Sequence, residues 1–369
     1  MSSSLIVEIC EIKEIKEHKN ADALEILVIK GWESVSKKGE YKAGDTIIYI
    51  PPDVLVPEDI IEKYSLKNYL AGKKQNRVKC IRLRGEMSFG LVLPNEENLP
   101  VGTEVSEKYG YEKYIPPIRI TAGDAAPEDP FFDRYTDIEN IRNFPDVFEE
   151  GEMVVVSEKI DGSSGRSQAS KNEDNSIEYK SGSHKVKRKR PETEEELKTN
   201  TYWYPFSVLE VKNLLTTTIE DPKYKVKNNI TLYDEIYGKV RGGHKSLHYG
   251  KQNSLNLAAF DIKIDGNYVD YDHFKSLCDE FNVPTVPIVA ITEFSIEKMK
   301  ELSRGKSILA AKNGVDHMRE GIVIRPLKER RDRRDRIGNR VILKMLNDDY
   351  LILKNKREAK GEVVDFTDE

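Results

Sequence analysis

Up to about Pro117, short apolar runs alternate with turn residues. Leu27-Val28-Ile29, residues 46–50, residues 78–81 and Leu91-Val92-Leu93 are set off by Gly, Asp, Asn or Pro. Short strands at this spacing predict a small all-β barrel. Residues 57–66 fit one helix inserted among them. Residues 114–127, rich in Pro, Gly and Ala, read as a linker. From Phe131 the pattern is mixed. Apolar spacing over 206–215, 271–281 and 296–302 predicts helices, and strand-like runs lie at Met153, Thr231, Ala258, Gly321 and Val341. Strands and helices interleave without a strict repeat, which predicts an α+β domain. The expected division is an all-β domain over 1–117, a linker over 118–130 and an α+β domain over 131–369.

Composition narrows the class only a little. The 369 residues are 38% hydrophobic and 33% charged, as in an ordinary soluble protein. No apolar stretch approaches a membrane span, and the first apolar run lacks a preceding basic region. Cys10, Cys80 and Cys278 are far apart and odd in number, which argues against a disulfide framework or a zinc site. The expectation is an intracellular, cytoplasmic protein with no membrane partner. Formal net charge is −5, yet basic residues cluster over 185–190 and 328–336, the first followed by the acidic run 192–196. Each cluster alone reads equally well as a solvated loop or as a nucleic-acid contact. There is no G-x-x-x-x-G-K-[ST] motif, and Gly110 stands apart from other glycines, so P-loop and Rossmann readings lack support.

The chemistry concentrates after Met153-Val154-Val155-Val156, in Lys159-Ile160-Asp161-Gly162. The apolar run reads as a buried strand, which puts Lys159 at its end, beside an acid in a tight turn. An isolated lysine is more often a surface residue with a buried stem. Here an ordered series follows: Asp234-Glu235-Ile236-Tyr237-Gly238, Phe260-Asp261-Ile262, Glu320-Gly321-Ile322-Val323-Ile324, and Lys344 inside the apolar run Val341-Ile342-Leu343-Lys344-Met345. Asp161, Glu235 and Glu320 each fall at the edge of a predicted strand. A lysine amine is a nucleophile only when unprotonated, and a nearby cation or desolvation lowers its ordinary pKa of about 10.4.

This series resembles the covalent nucleotidyltransferases, the superfamily of RNA ligases, DNA ligases and mRNA capping enzymes. The flanking segments narrow the resemblance: Asn20 to Glu25, Gly31-Trp32, Lys38 to Asp45, Ile81 to Gly85 with Gly90 to Pro94, and Asn200-Thr201-Tyr202-Trp203. They look like the ATP-dependent RNA ligases with an N-terminal OB-fold domain, the Naegleria and Deinococcus type, from about Ile6 to Leu351. Only 25 residues follow Lys344, too few for the C-terminal OB domain of DNA ligases and capping enzymes. The fold this implies is an OB barrel followed by an α+β nucleotidyltransferase domain.

The resemblance implies that Lys159 attacks ATP to form a phosphoramidate to AMP, and that Asp161, Glu235 and Glu320 hold a divalent metal near the α-phosphate. Hard oxygen ligands suit Mg2+ or Mn2+. It places Lys344 against the α-phosphate, Glu158 on the adenine amino group and Phe260 in a stack on the base, with Gly162 completing the nucleotide-binding set. For Phe260 a place in the core is an equal alternative. Many relatives carry a second basic residue where this chain has Ile342; Arg340 is the candidate substitute. Ser181-Gly182-Ser183-His184 stands where relatives often carry Ser-Arg-Asn on the ribose, so Arg166 or a residue of the Lys185 cluster takes that contact, or the ribose contacts differ. His184 shows no partner and reads as a loop histidine. The OB domain is implied to orient pyrophosphate or grip nucleic acid. The implied partner is RNA with 3′-hydroxyl and 5′-phosphate ends, at a nick, met by a monomer. The alternatives are a DNA ligase or capping guanylyltransferase and, in another class, a non-catalytic OB protein that binds nucleic acid.

Overall fold

The computed structural model describes residues 6–115, 123–239, 249–332 and 340–360. These form two compact units. In the first, Thr46–Ile50 pairs antiparallel with Glu8–Glu11 and Leu91–Pro94, and Leu24–Ile29 pairs with Glu14–Glu17 and Trp32–Lys37. Thr46–Ile50 shows why a small barrel forms. Successive side chains point to opposite faces: Ile48 and Ile50 join one apolar cluster with Ile9 and Leu93, and Ile47 and Tyr49 join another with Leu27 and Phe89. Glu58–Lys63 is the expected inserted helix. The strand expected over 78–81 begins only at Ile81 and runs to Leu83; Val78 enters the core outside any strand.

Two later segments belong to this unit, Glu139–Phe148 and the helix Asp348–Ala359. The helix is held by polar contacts. The Asn355 amide donates to the Cys80 carbonyl at 3.0 Å, Lys79 reaches Asn355 at 3.1 Å and also Glu358, and Arg82 pairs with Asp349 at 2.6 Å. Arg142 pairs with Asp348 at 2.7 Å while its guanidinium lies 4.1 Å from the Phe89 ring centroid. The chain therefore contributes to this unit three times. Residues 123–130, the described part of the expected linker, are bound into the second unit: the Ala126 N–H donates to the Lys187 carbonyl at 2.9 Å, and Asp124 pairs with Arg188 at 2.8 Å.

The second unit contains two antiparallel sheets. One runs in the order Leu343–Leu346, Gly321–Pro326, Met153–Lys159, Ile288–Glu293. The other runs Lys187–Arg188, Ile177–Ser183, Ser163–Lys171, Asn229–Gly238, Leu255–Ile264, Asn267–Tyr268. Helices Leu209–Glu220 and Tyr271–Glu280 cover one face of the longer sheet, packing Leu214, Leu215, Phe274 and Leu277 against Ile230, Leu232 and Ile262. The helix expected over 206–215 starts three residues later, because Tyr204–Ser207 is a separate 3-10 turn. The strand expected at Val341 starts at Leu343. On the opposite face, Tyr233, Tyr135, Phe260, Val323 and Ile342 join the two sheets.

Candidate functional site

Lys159 is the last residue of its strand. Its Nζ donates to Glu320 Oε1 at 2.9 Å, and Glu320 immediately precedes the neighbouring strand. Burial pulls the Lys159 ammonium down in pKa, but Glu320, Glu235 and Asp161 pull harder the other way, and the net shift is upward. As the structure stands, the amine is held charged among the expected acids. Glu235 lies inside the strand Asn229–Gly238 rather than at its edge. Burial pushes its carboxyl up to about 8, against the pull of Lys159 and with the added repulsion of Glu320 and Asp161. Gly162 allows this approach: a Cβ there would lie 2.4 Å from the Ile236 carbonyl and 3.1 Å from Glu235 Oε1. The turn is also tied by the Asp161 N–H, which donates to the Tyr249 hydroxyl at 2.7 Å.

Register places the second lysine. Ser157 opposes Val323 and Val323 opposes Lys344, while Lys159 opposes Gly321. Side chains alternate along a strand, so Lys159 and Lys344 share a face. Glu158 points the other way and is 1% exposed. Its Oε2 accepts from the Ile308 and Leu309 N–H groups, at 2.8 and 3.3 Å, at the start of helix Ile308–Lys312. Its Oε1 is buried, with no partner among the described residues. Phe260 is half-buried and edge-on to Tyr135, with centroids 5.0 Å apart.

Several expected stand-ins are occupied elsewhere. Arg340 donates to Asp261 at 2.6 Å and to Glu329 at 2.8 Å, and lies 3.5 Å from the Tyr268 centroid. Arg166 is 3% exposed, donates to the carbonyls of Ser183 at 2.9 Å and Phe132 at 2.6 Å, and stacks 4.0 Å from the Phe132 centroid. His184 is not without a partner: its Nε2 lies 3.2 Å from Asp137 Oδ1. Two residues of the basic run 185–190 are held in the fold. Lys187 pairs with Asp129, and Arg188 is buried against Tyr202. The acidic run that follows starts a helix through a Thr193–Glu196 capping box. In the second run, Lys328 pairs with Asp270 and Arg330 with Glu152; Arg333, Arg334, Asp335 and Arg336 lie outside the described residues. All three cysteines are buried and free.

The orphaned Glu158 oxygen, the Lys159 amine and the Gly162 cradle fit a nucleotide. Asp161, Glu235 and Glu320 supply the hard oxygen donors that Mg2+ or Mn2+ takes, but among the described residues no three His, Cys, Asp or Glu side chains are spaced to hold a metal. Magnesium typically binds through one or two carboxylates, waters and substrate phosphates.

Tyr249, the helix Ile308–Lys312, Asp137 and Asp234 were not identified from sequence as parts of this region. The Ser307 N-cap, which accepts from the Ala310 N–H, was the one local signal for that helix.

Comparison with known proteins agrees with the geometry. A family model described as RNA ligase matches residues 152–346, and an OB-fold domain model matches residues 6–95. The chain belongs to the RNA ligase family. It is similar to Naegleria gruberi RNA ligase with pyrophosphate, at 26% identity and a TM-score of 0.70, over 96% of this chain and 99% of that one. It is also similar to a mutant of that enzyme with ATP and manganese, at 26% identity and TM-score 0.70 over 95% and 99% of the two chains. A further mutant with AMP and manganese gives 26% identity and TM-score 0.68 over 94% and 98%. No curated protein sequence matches significantly. Among the described residues, no helix is long and apolar enough to cross a membrane.

Proposed function

We propose that this chain is an ATP-dependent RNA ligase that works through a lysyl-AMP on Lys159. The observation that carries the reading is the Lys159 amine, 2.9 Å from Glu320, at a strand end where Glu235 and Asp161 also act on it. In the first step the Lys159 nitrogen attacks the α-phosphate and pyrophosphate leaves. AMP then passes to an RNA 5′-phosphate, and a 3′-hydroxyl attacks that activated end and expels AMP. Glu158 Oε1 would accept from the adenine amino group, Phe260 would stack on the base, and Lys344 would neutralise the α-phosphate from the same face as Lys159. Asp161, Glu235 and Glu320 would hold Mg2+ or Mn2+, which when bound offsets the carboxylate field that now keeps Lys159 protonated and neutralises charge on the phosphate.

The finer reading is a nick with a 3′-hydroxyl and a 5′-phosphate, sealed by a single copy of the chain. The rivals differ in nucleotide and in polynucleotide. Incubation with ATP, GTP or NAD, each with Mg2+ or Mn2+, followed by a nicked duplex with RNA or DNA on the broken strand, separates them. Label from ATP alone and sealing of RNA support the proposal. Label from GTP would point to a capping enzyme, and sealing of DNA but not RNA to a DNA ligase.

A further inference from the structure

The proposed reaction gives Lys159 a role in the first step but leaves the 3′-hydroxyl proton of the last step without an acceptor. The longer sheet brings one group toward it. Ser164 opposes Glu235, and Gly165 opposes Ser183. The strand ends at Ser183, and His184 follows in the turn toward Lys187–Arg188. Its partner Asp137 belongs to the segment whose Phe132 and Asp133 carbonyls accept from Arg166 and Tyr233, so the imidazole lies on the side of the sheet that carries Tyr233 and Glu235. The strand it leaves is two strands from that of Glu235, roughly 10 Å across a sheet. The His184 side chain is 30% exposed, so a substrate can reach it. Its Nε2 is 3.2 Å from Asp137 Oδ1, and no other partner among the described residues touches the ring. A carboxylate on Nε2 fixes the N–H there and leaves Nδ1 with a free lone pair.

We propose that His184, oriented by Asp137, accepts the proton of the attacking RNA 3′-hydroxyl during joining. The inference rests on the ligase reading above. In this step the 3′-oxygen forms a bond to the activated 5′-phosphorus. The phosphoanhydride P–O bond to AMP breaks, and AMP leaves with that electron pair. The hydroxyl proton moves to His184 Nδ1 and then to solvent. The charged groups facing the imidazole are Asp137, Arg166 and Lys185. Burial lowers the imidazole pKa below the usual 6.5, against the pull of Asp137, so the ring is neutral and basic at pH 7.

The test uses the full-length protein and a nicked RNA duplex already adenylylated at its 5′-phosphate. Single-turnover joining is followed from pH 5.5 to 9 for wild type, H184Q and D137N, with transfer of label from ATP to protein measured in parallel. The expected result is a fall in joining on the order of 100-fold in H184Q, with the acid limb of the pH profile gone. Formation of lysyl-AMP should stay within threefold of wild type. D137N should keep the limb but move it to lower pH, because the carboxylate favours the charged ring. Joining by H184Q within threefold of wild type, with the same limb, overturns the proposal. Equal loss of both steps in H184Q also overturns it, since a structural role predicts that outcome. A wild type that forms no lysyl-AMP would overturn the ligase reading instead.

Discussion

Asp234 should make this protein less stable as pH rises through the neutral range. It is fully buried, and among the described residues neither carboxylate oxygen has a partner. Gly165 makes the room: a Cβ there would lie 2.6 Å from Asp234 Oδ1. Burial alone pushes the carboxyl from 3.8 up to about 7. The folded protein therefore keeps this proton between those values, where the unfolded chain has released it. An acid whose folded pKa is raised favours folding less and less as pH climbs from the unfolded value to the folded one. From pH 5 to pH 7 the folded acid goes from protonated to half ionised, so the loss is somewhat under two units at about 1.4 kcal/mol each, roughly 2 kcal/mol. D234N keeps the shape and cannot ionise. Its buried amide carries its own cost, but that cost does not change with pH, so the comparison is of slopes. For a unit of this size about 1 kcal/mol moves the melting temperature by roughly 2–4 °C. Calorimetric melting at pH 5, 6, 7 and 8 should show wild type losing on the order of 5–10 °C relative to D234N over this span. Every other titrating group is common to both proteins and cancels. Parallel profiles would mean that Asp234 does not carry this proton, because it has a partner in solution or is hydrated there.

Two further substitutions probe the geometry. G162A puts a methyl 2.4 Å from the Ile236 carbonyl, so the turn must shift away from Glu235. Formation of lysyl-AMP, read by label transfer, should fall on the order of 100-fold, and an unchanged rate would show that this close approach is not required. D261A removes the carboxylate that holds Arg325 at 3.2 Å and Arg340 at 2.6 Å, all three buried. Losing one partner of such a network costs about 3 kcal/mol or more, and a melting temperature within a degree of wild type would contradict that.

The catalytic series was legible because its elements follow local pattern. Met153-Val154-Val155-Val156 is a buried strand, and Lys159 ends it as its place after that run required. The helices over 271–281 and 296–302 were likewise visible, since each carries one apolar face. What stayed hidden depends on distant partners. The helix Asp348–Ala359 buries only Tyr350 fully and is held by Lys79, Arg82, Cys80 and Arg142, far away in the chain. The run 185–190 looked like a possible nucleic-acid contact because Asp124 and Asp129, which neutralise part of it, lie some 60 residues earlier. Asp234 looked like any acid beside Glu235; only the β pairing shows that the two point to opposite faces. The partner of His184 was hidden for the same reason, with Asp137 47 residues away.

The proposed reaction requires that Lys159 become covalently adenylylated. Its most direct test is intact-protein mass spectrometry, with peptide mapping, after incubation with ATP and Mg2+ or Mn2+. Wild type should gain the mass of one AMP on the peptide containing Lys159, and K159A and K159R should gain none, since a permanently protonated guanidinium cannot attack. AMP found on another residue, or a K159A protein that still gains it, would contradict the account.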